Sequence, residues 1–214
     1  MIRVAGIASI ATLLAGSAAL AAPAPMDWSG FYAGIEGSVT RLTDTGNYNP
    51  DYSPPYDPYY WQLNAAGFGG GIFAGYEGKV SDMFVLGVEG ELELNSVAVR
   101  AEDSNELKET WSGSIKAKFG VPVGGVLLYG TAGLAAAHFD GSDYWTKTTD
   151  NVFDDLGGVV GIGLEAPVAD HVIAKIEGDY TMYAAHTYRT TGGSPFWDTS
   201  PSTLSVTAGV GVKF

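Results

Sequence analysis

The closing stretch of the chain, Thr203 to Phe214, alternates without a break: Leu204, Val206, Ala208, Val210, Val212 and Phe214 share one face, and Thr203, Ser205, Thr207, Gly209, Gly211 and Lys213 the other. A period of two residues belongs to a pleated strand with two unlike faces. The same period runs from Trp28 to Thr40, Gly67 to Gly78, Phe84 to Val99, Trp111 to Val121, Val126 to Phe139, Val152 to Glu165 and Val172 to Thr187. Eight strands are therefore expected. Their connections alternate in length: Lys79 to Met83, Pro122 to Gly125 and Ala166 to His171 are short, whereas Arg41 to Ala66, Arg100 to Thr110, Asp140 to Asn151 and Tyr188 to Ser202 are long.

A soluble sandwich has the same period, so the placement of charge has to decide between the two. In the third segment Leu86, Val88, Leu92 and Leu94 oppose Glu89, Glu91 and Glu93. In the fourth, Trp111, Ile115, Ala117 and Phe119 oppose Ser112, Ser114, Lys116 and Lys118; in the seventh, Lys175, Glu177 and Asp179 alternate with Ala174, Ile176, Tyr180 and Met182. In a sandwich these charges would be solvated surface. In a membrane barrel they would fill the lumen while the apolar face meets lipid, and closure would leave no unpaired edge in the bilayer. Short turns at one end and long loops at the other are the rhythm of outer-membrane barrels. The chain's first residues agree: Arg3, an apolar stretch of mostly Ala, Leu and Ile from Val4 to Ala22, and small residues at Ala19 and Ala21 read as a signal peptide cleaved after Ala21. The expected architecture is all-β: an eight-stranded antiparallel transmembrane β-barrel occupying 22–214, with four extracellular loops and short periplasmic turns, in the outer membrane of a Gram-negative bacterium.

Eight strands leave an interior only wide enough for side chains. Trp111 and Phe119 lie eight residues apart on one face, which at about 3.3 Å per residue and a tilt near 40° spans roughly 20 Å of membrane height and suggests an aromatic girdle at each interface. Tyr129, Trp28 and Phe214 fall near strand ends and are placed in the same girdles. The chain has no cysteine, so neither a disulfide nor a thiolate metal site holds it together. With Arg3 removed, ten basic residues face 24 acidic ones, a net charge of about −14. Phosphate binding needs clustered Lys and Arg, so nucleic acid is excluded as a partner.

The motifs WSGFYAG (Trp28 to Gly34), GYEGK (Gly75 to Lys79), FVLGVEGEL (Phe84 to Leu92), WSGSIKAKFG (Trp111 to Gly120), LLYGTAGLA (Leu127 to Ala135), GVVGIGLE (Gly158 to Glu165) and KIEGDY (Lys175 to Tyr180), with the terminal Phe214, span nearly all of the mature chain. In their order and spacing they resemble the small outer-membrane β-barrels of alphaproteobacteria, the porin-family or surface-antigen proteins, related in fold to the OmpA and OmpX barrels. The resemblance implies contact with outer-membrane lipid and lipopolysaccharide. It also implies that Phe214 serves as the signal read by the barrel assembly machinery. The chain departs from the family in carrying Lys116 and Lys118 where Arg is frequent, and Phe73 where a polar residue is common; a lumen-facing Phe73 disfavours a water-filled pore.

The lumen face carries Glu36, Glu77, Glu89, Glu91, Glu93, Glu165, Glu177 and Asp179 against Lys116, Lys118, Lys175 and Lys213. Buried charges must be paired, hydrated or neutralised, so a salt-bridge network centred on Glu89, Lys116, Lys118 and Glu177 is expected to act as a plug, with an ion path as the alternative. The first loop, Asn47 to Gln62, is rich in Pro and in the aromatics Tyr48, Tyr52, Tyr56, Tyr59, Tyr60 and Trp61, a surface suited either to lipopolysaccharide headgroups or to a host ligand, haem or a glycan. Asp140, Asp143, Asp150, Asp154 and Asp155 lack EF-hand spacing and read as solvated charge, with no metal expected. His138, His171 and His186 have no adjacent-strand serine and carboxylate to form a hydrolase site; His with Tyr as haem ligands is the remaining chemical alternative. The functional expectation is a structural surface protein of the envelope without catalysis or cofactor; the alternatives are a narrow porin-like channel and a haem- or host-ligand-binding adhesin.

Overall fold

Alternation is converted into architecture by pairing. The computed structural model describes residues 27–48, 60–100, 106–142, 152–189 and 195–214; the signal peptide read at 1–21 lies outside them. Nine strands follow in order: β1 Gly30–Tyr48, β2 Tyr60–Ser81, β3 Phe84–Arg100, β4 Glu106–Val123, β5 Val126–Ser142, β6 Val152–Ala169, β7 Val172–Tyr183, β8 His186–Arg189 and β9 Pro195–Lys213. Each strand from β1 to β7 pairs antiparallel with its successor, β7 and β8 both pair with β9, and β9 returns to β1 from Tyr32↔Lys213 to Tyr48↔Trp197. The result is a closed antiparallel barrel of eight staves, the seventh built from β7 and β8.

The seventh segment, expected to be continuous to Thr187, breaks at Ala184 and Ala185. Met182 pairs with Ser202 and His186 with Thr199, so Pro201 stands in β9 between the two partners and has no N–H to contribute to the ladder. On the other side the β6 register carries on one step further, with the Ala184 N–H donating to the Leu156 carbonyl at 2.9 Å.

Expected strand ends are corrected on the extracellular side. Pairing of β1 with β2 continues past Thr40↔Gly67 to Asn47↔Tyr60, and β9 begins at Pro195 rather than Thr203. Once a strand leaves the hydrocarbon its outer face no longer has to be apolar, so Thr43, Asp44 and Thr45 carry no readable alternation although their backbones stay paired. On the periplasmic side the chain reverses in two residues, at Asp82–Met83, Gly124–Gly125 and Asp170–His171. Gly124 and Gly125 have φ of 59° and 90°, the positive pair that a tight hairpin turn needs and that glycine adopts without strain.

The faces sort as a lipid-facing barrel requires. Leu86, Val88, Leu92 and Leu94 are exposed while Glu89 between them is fully buried; Ile35, Ile115, Leu134 and Ile162 also point outward. Trp111, Phe119 and Phe214 sit on this outer face, but Trp28 and Tyr129 do not. Both are buried in the lumen with Val85 and Leu127, so the girdle reading of these two residues is corrected. Tyr129 has the same strand parity as Thr131, which also faces inward, and parity overrides its nearness to the strand end.

Large lumen side chains fit because neighbouring strands carry glycine. A Cβ on Gly163 would lie 2.4 Å from the Tyr129 ring, and one on Gly34 would lie 2.4 Å from the Phe73 ring. Each ring packs directly over backbone where a side chain would otherwise stand.

Candidate functional site

Every charged side chain expected on the lumen face is there, because each lies at an inward position of its strand: Glu36 on β1, Glu77 on β2, Glu89, Glu91 and Glu93 on β3, Lys116 and Lys118 on β4, Glu165 on β6, Lys175, Glu177 and Asp179 on β7, and Lys213 on β9. Four lysines organise them. Lys116 Nζ lies 2.7 Å from Glu91, 2.8 Å from Glu177 and 3.3 Å from Asp179. Lys118 reaches Glu77 at 2.8 Å, Glu165 at 2.9 Å and Glu89 at 3.6 Å. Lys175 reaches Glu91 at 2.8 Å, Glu36 at 2.9 Å and Glu89 at 3.1 Å. Lys213 lies 2.5 Å from Glu77 and 4.0 Å from Glu165. Three of these ammonium groups therefore each meet three carboxylates, matching the three donors a lysine carries.

Aromatic and hydroxyl groups complete the cluster. The Tyr32 hydroxyl donates to Glu89 at 2.7 Å, and Tyr129 and Thr131 donate to Glu177 at 2.9 Å each. Lys118 Nζ sits 4.1 Å from the Tyr129 ring centroid, and Lys175 Nζ 4.0 Å from that of Phe73, so two cations are also held against ring faces. Phe73 thus faces the lumen and fills it.

Glu89, Lys116, Lys118 and Glu177, the expected centre of the network, all lie within it. Glu89 and Lys116 are register partners on β3 and β4, yet Lys116 extends to Glu177 and Asp179 on β7, and Glu89 is served by Lys118 and Lys175. Tyr32, Tyr129 and Thr131 were missed as members; inward parity was the available signal. Oxygens of Glu89, Glu91 and Glu177 converge within 4.8 Å, as metal ligands would. The ammonium groups of Lys116, Lys118 and Lys175 already answer their charge.

Apolar layers close the column at both ends. Toward the periplasm Trp28, Val85, Leu127 and Tyr129 pack together. Toward the outside Leu42, Val97, Ala135, Ala137, Phe139, Val159 and Tyr183 do so, backed by Leu63 and Ala65. Between the charge network and the outer layer lies a cavity of about 40 Å³.

The remaining candidates that lie within the described residues are spread over several strands and turns. Asp155 is buried on the lumen face, which corrects its reading as solvated charge; Asp140 pairs with Val152 at the outer end of β5, and Asp143 and Asp150 lie outside the described residues. The His138 ring stacks on Trp111 with centroids 6.1 Å apart, and its Nε2 is 3.5 Å from Asp140. His171 occupies a periplasmic turn, and His186 begins β8. Of the first-loop aromatics, Tyr48, Tyr60 and Trp61 lie on the paired ends of β1 and β2, while Tyr52, Tyr56 and Tyr59 lie outside the described residues. Phe214 is 77% exposed and its N–H donates to the Phe31 carbonyl at 2.8 Å, tying the end of the chain to the first strand.

Residues 10–214 match the family described as outer membrane protein beta-barrel domain. The chain belongs to that family. It is 33% identical over 187 residues to the 22 kDa outer membrane protein of Rhizobium leguminosarum bv. viciae, covering 87% of this chain and 78% of that one. It is 27% identical over 191 residues to the 25 kDa outer-membrane immunogenic protein of Brucella abortus biovar 1, with the same shares covered. The outer membrane protein OprG of Pseudomonas aeruginosa superposes with a TM-score of 0.53 at 11% identity, over 87% of this chain and 96% of that one, a likeness of fold. Family, relatives and inside-out barrel place this outer-membrane β-barrel protein in the outer membrane of a Gram-negative bacterium.

Proposed function

We propose that this outer-membrane β-barrel protein is a structural component of the cell envelope, a membrane-spanning pillar that passes no solute and catalyses no reaction. One observation carries the reading: four lysines and their partners draw side chains from all eight staves into one buried cluster, between apolar layers above and below. A solute crossing the lumen would have to separate these ions, and removing one partner of a buried pair leaves the other uncompensated in a medium of low dielectric. Protein refolded into planar bilayers is expected to leave conductance at its baseline. Discrete, reproducible steps that change when Lys116 and Lys118 are replaced by Gln would overturn the reading in favour of a channel.

A second reading, display of the first loop to an extracellular ligand, is favoured by the β1–β2 hairpin. Its ladder runs from Gly30↔Glu77 to Asn47↔Tyr60. At about 3.3 Å per residue and a tilt near 40° that ladder rises roughly 45 Å, against an apolar band of about 25 Å, so it carries the loop clear of the bilayer. Deletion of residues 49–59 should then abolish binding of the purified barrel to haem or to host-cell surfaces; unchanged binding removes this reading.

A further inference from the structure

The cavity above the charge network has a chemistry of its own. Among the described residues its wall includes Glu91, Glu93, Glu109 and Asp179 together with Ser and Thr hydroxyls, and no lysine, arginine or histidine. The four luminal lysines lie on the periplasmic side of it and are engaged there: Glu91 and Asp179 share Lys116, while Glu93 and Glu109 have no ion pair among the described residues. Glu109 is only 1% exposed, and one of its oxygens accepts a hydrogen bond from Asn95 at 2.8 Å. Its other oxygen, Oε2, has no hydrogen-bond partner among the described residues, and neither do Glu93 Oε1 and Asp179 Oδ1 of the same cavity wall or the buried Asn95 Oδ1. An anionic oxygen left this way is costly, and several around one space ask for a common partner.

We infer that this cavity binds a partly hydrated divalent cation, with Glu93, Glu109 and Asp179 supplying the negative charge. The donors are all oxygen, which selects a hard cation such as Mg²⁺ or Ca²⁺. Hydration follows from spacing. Among the described residues only Glu89, Glu91 and Glu177 bring three candidate ligand atoms within 4.8 Å of one another, so the carboxylates of the cavity stand too far apart to strip an ion of its water. A cavity of about 40 Å³ has room for roughly three water-sized centres, at about 10–15 Å³ each. Mg²⁺ is the better candidate, because it keeps several waters and is held through one or two carboxylates. Its bound waters would donate to the partnerless oxygens while the ion answers their charge. Protonation would remove the charge but add donors to a wall already supplied with hydroxyls. The site goes beyond the pillar reading: bilayer conductance tests that reading, and ion binding tests this one.

The test uses the full chain, stripped of metal and refolded in detergent with Mg²⁺ alone, followed by buffer exchange and elemental analysis. Folding is checked for every variant by heat-modifiable gel mobility. The wild-type barrel should retain one Mg²⁺ that Glu109→Gln loses entirely and Glu93→Gln binds at least tenfold more weakly. Asp143→Asn with Asp150→Asn, in the third loop, should leave that ion in place. The urea midpoint of the wild type should also rise with Mg²⁺, a rise missing from Glu109→Gln. A wild-type barrel that retains no ion, and whose midpoint is the same in Mg²⁺ and in chelator, overturns the site in favour of protonated carboxyls. Equal retention by wild type, Glu109→Gln and Glu93→Gln overturns it in favour of loop binding. If Glu109→Gln does not fold, Glu93→Gln and the wild-type midpoint decide.

Discussion

Lys118→Met should destabilise the barrel by about 3–5 kcal/mol, the loss expected when one partner of a buried ionic cluster is removed and the others stay. Methionine keeps much of the stem and its packing against Tyr129, so the change isolates the ammonium group. Three carboxylates, Glu77, Glu165 and Glu89, lie within 3.6 Å of it, and all are fully buried. Lys213 compensates Glu77 closely and Glu165 only at 4.0 Å; Lys175 compensates Glu89. Glu165 is therefore the group left most exposed in charge, and adding Glu165→Gln to Lys118→Met should recover part of the loss. Urea unfolding in lipid vesicles, followed by gel mobility, measures both variants. A loss below about 1 kcal/mol for Lys118→Met would mean that these carboxylates are neutral without it. Lys79→Met is the control: Lys79 meets Asp82 at 2.7 Å in open solvent, and no measurable loss is expected there.

Leu134→Arg should cost about 2–4 kcal/mol, the penalty for a cationic side chain on the lipid face at the bilayer midplane. Leu134 is 74% exposed and pairs with Ile115 and Gly158 halfway along β5. In a water-soluble sheet so open a position would tolerate arginine with almost no loss. The sign of the experiment therefore separates lipid from water as the solvent of this face. Leu94→Arg supplies the depth control: Leu94 is equally exposed but pairs with Trp111 near the interface, where the same change should cost about 0–1 kcal/mol. Equal losses at the two positions would contradict the bilayer placement.

Parity was the legible part of this fold. The alternation of Glu89, Glu91 and Glu93 with Val88, Leu92 and Leu94 told which side chains meet lipid and which fill the interior, and two-residue turns kept that alternation in phase from strand to strand. The partners across the lumen were not legible. Lys116 faces Glu89 in the ladder but binds Glu177 on β7, because the reach across a narrow barrel depends on the shear between distant strands, which no local pattern encodes. Trp28 and Tyr129 were misplaced for a related reason: an aromatic near a strand end looks the same in sequence whether it turns to lipid or caps a charged layer. The strand ends were blurred where water replaces lipid, and the break at Ala184 follows from Pro201 on a different strand. Glu109 escaped notice because it lies at the outer end of β4, before the readable alternation begins.

Lys213 belongs to the last strand, pairs in register with Tyr32 on the first, and reaches Glu77 on β2 and Glu165 on β6. Its contacts therefore cannot all exist in an open sheet. While the ends are apart, these acids and bases keep their hydration; when the seam shuts, they lose it together and find one another. Closure and dehydration of the interior thus become a single cooperative step, and a half-zipped barrel has little of the final stability to hold it.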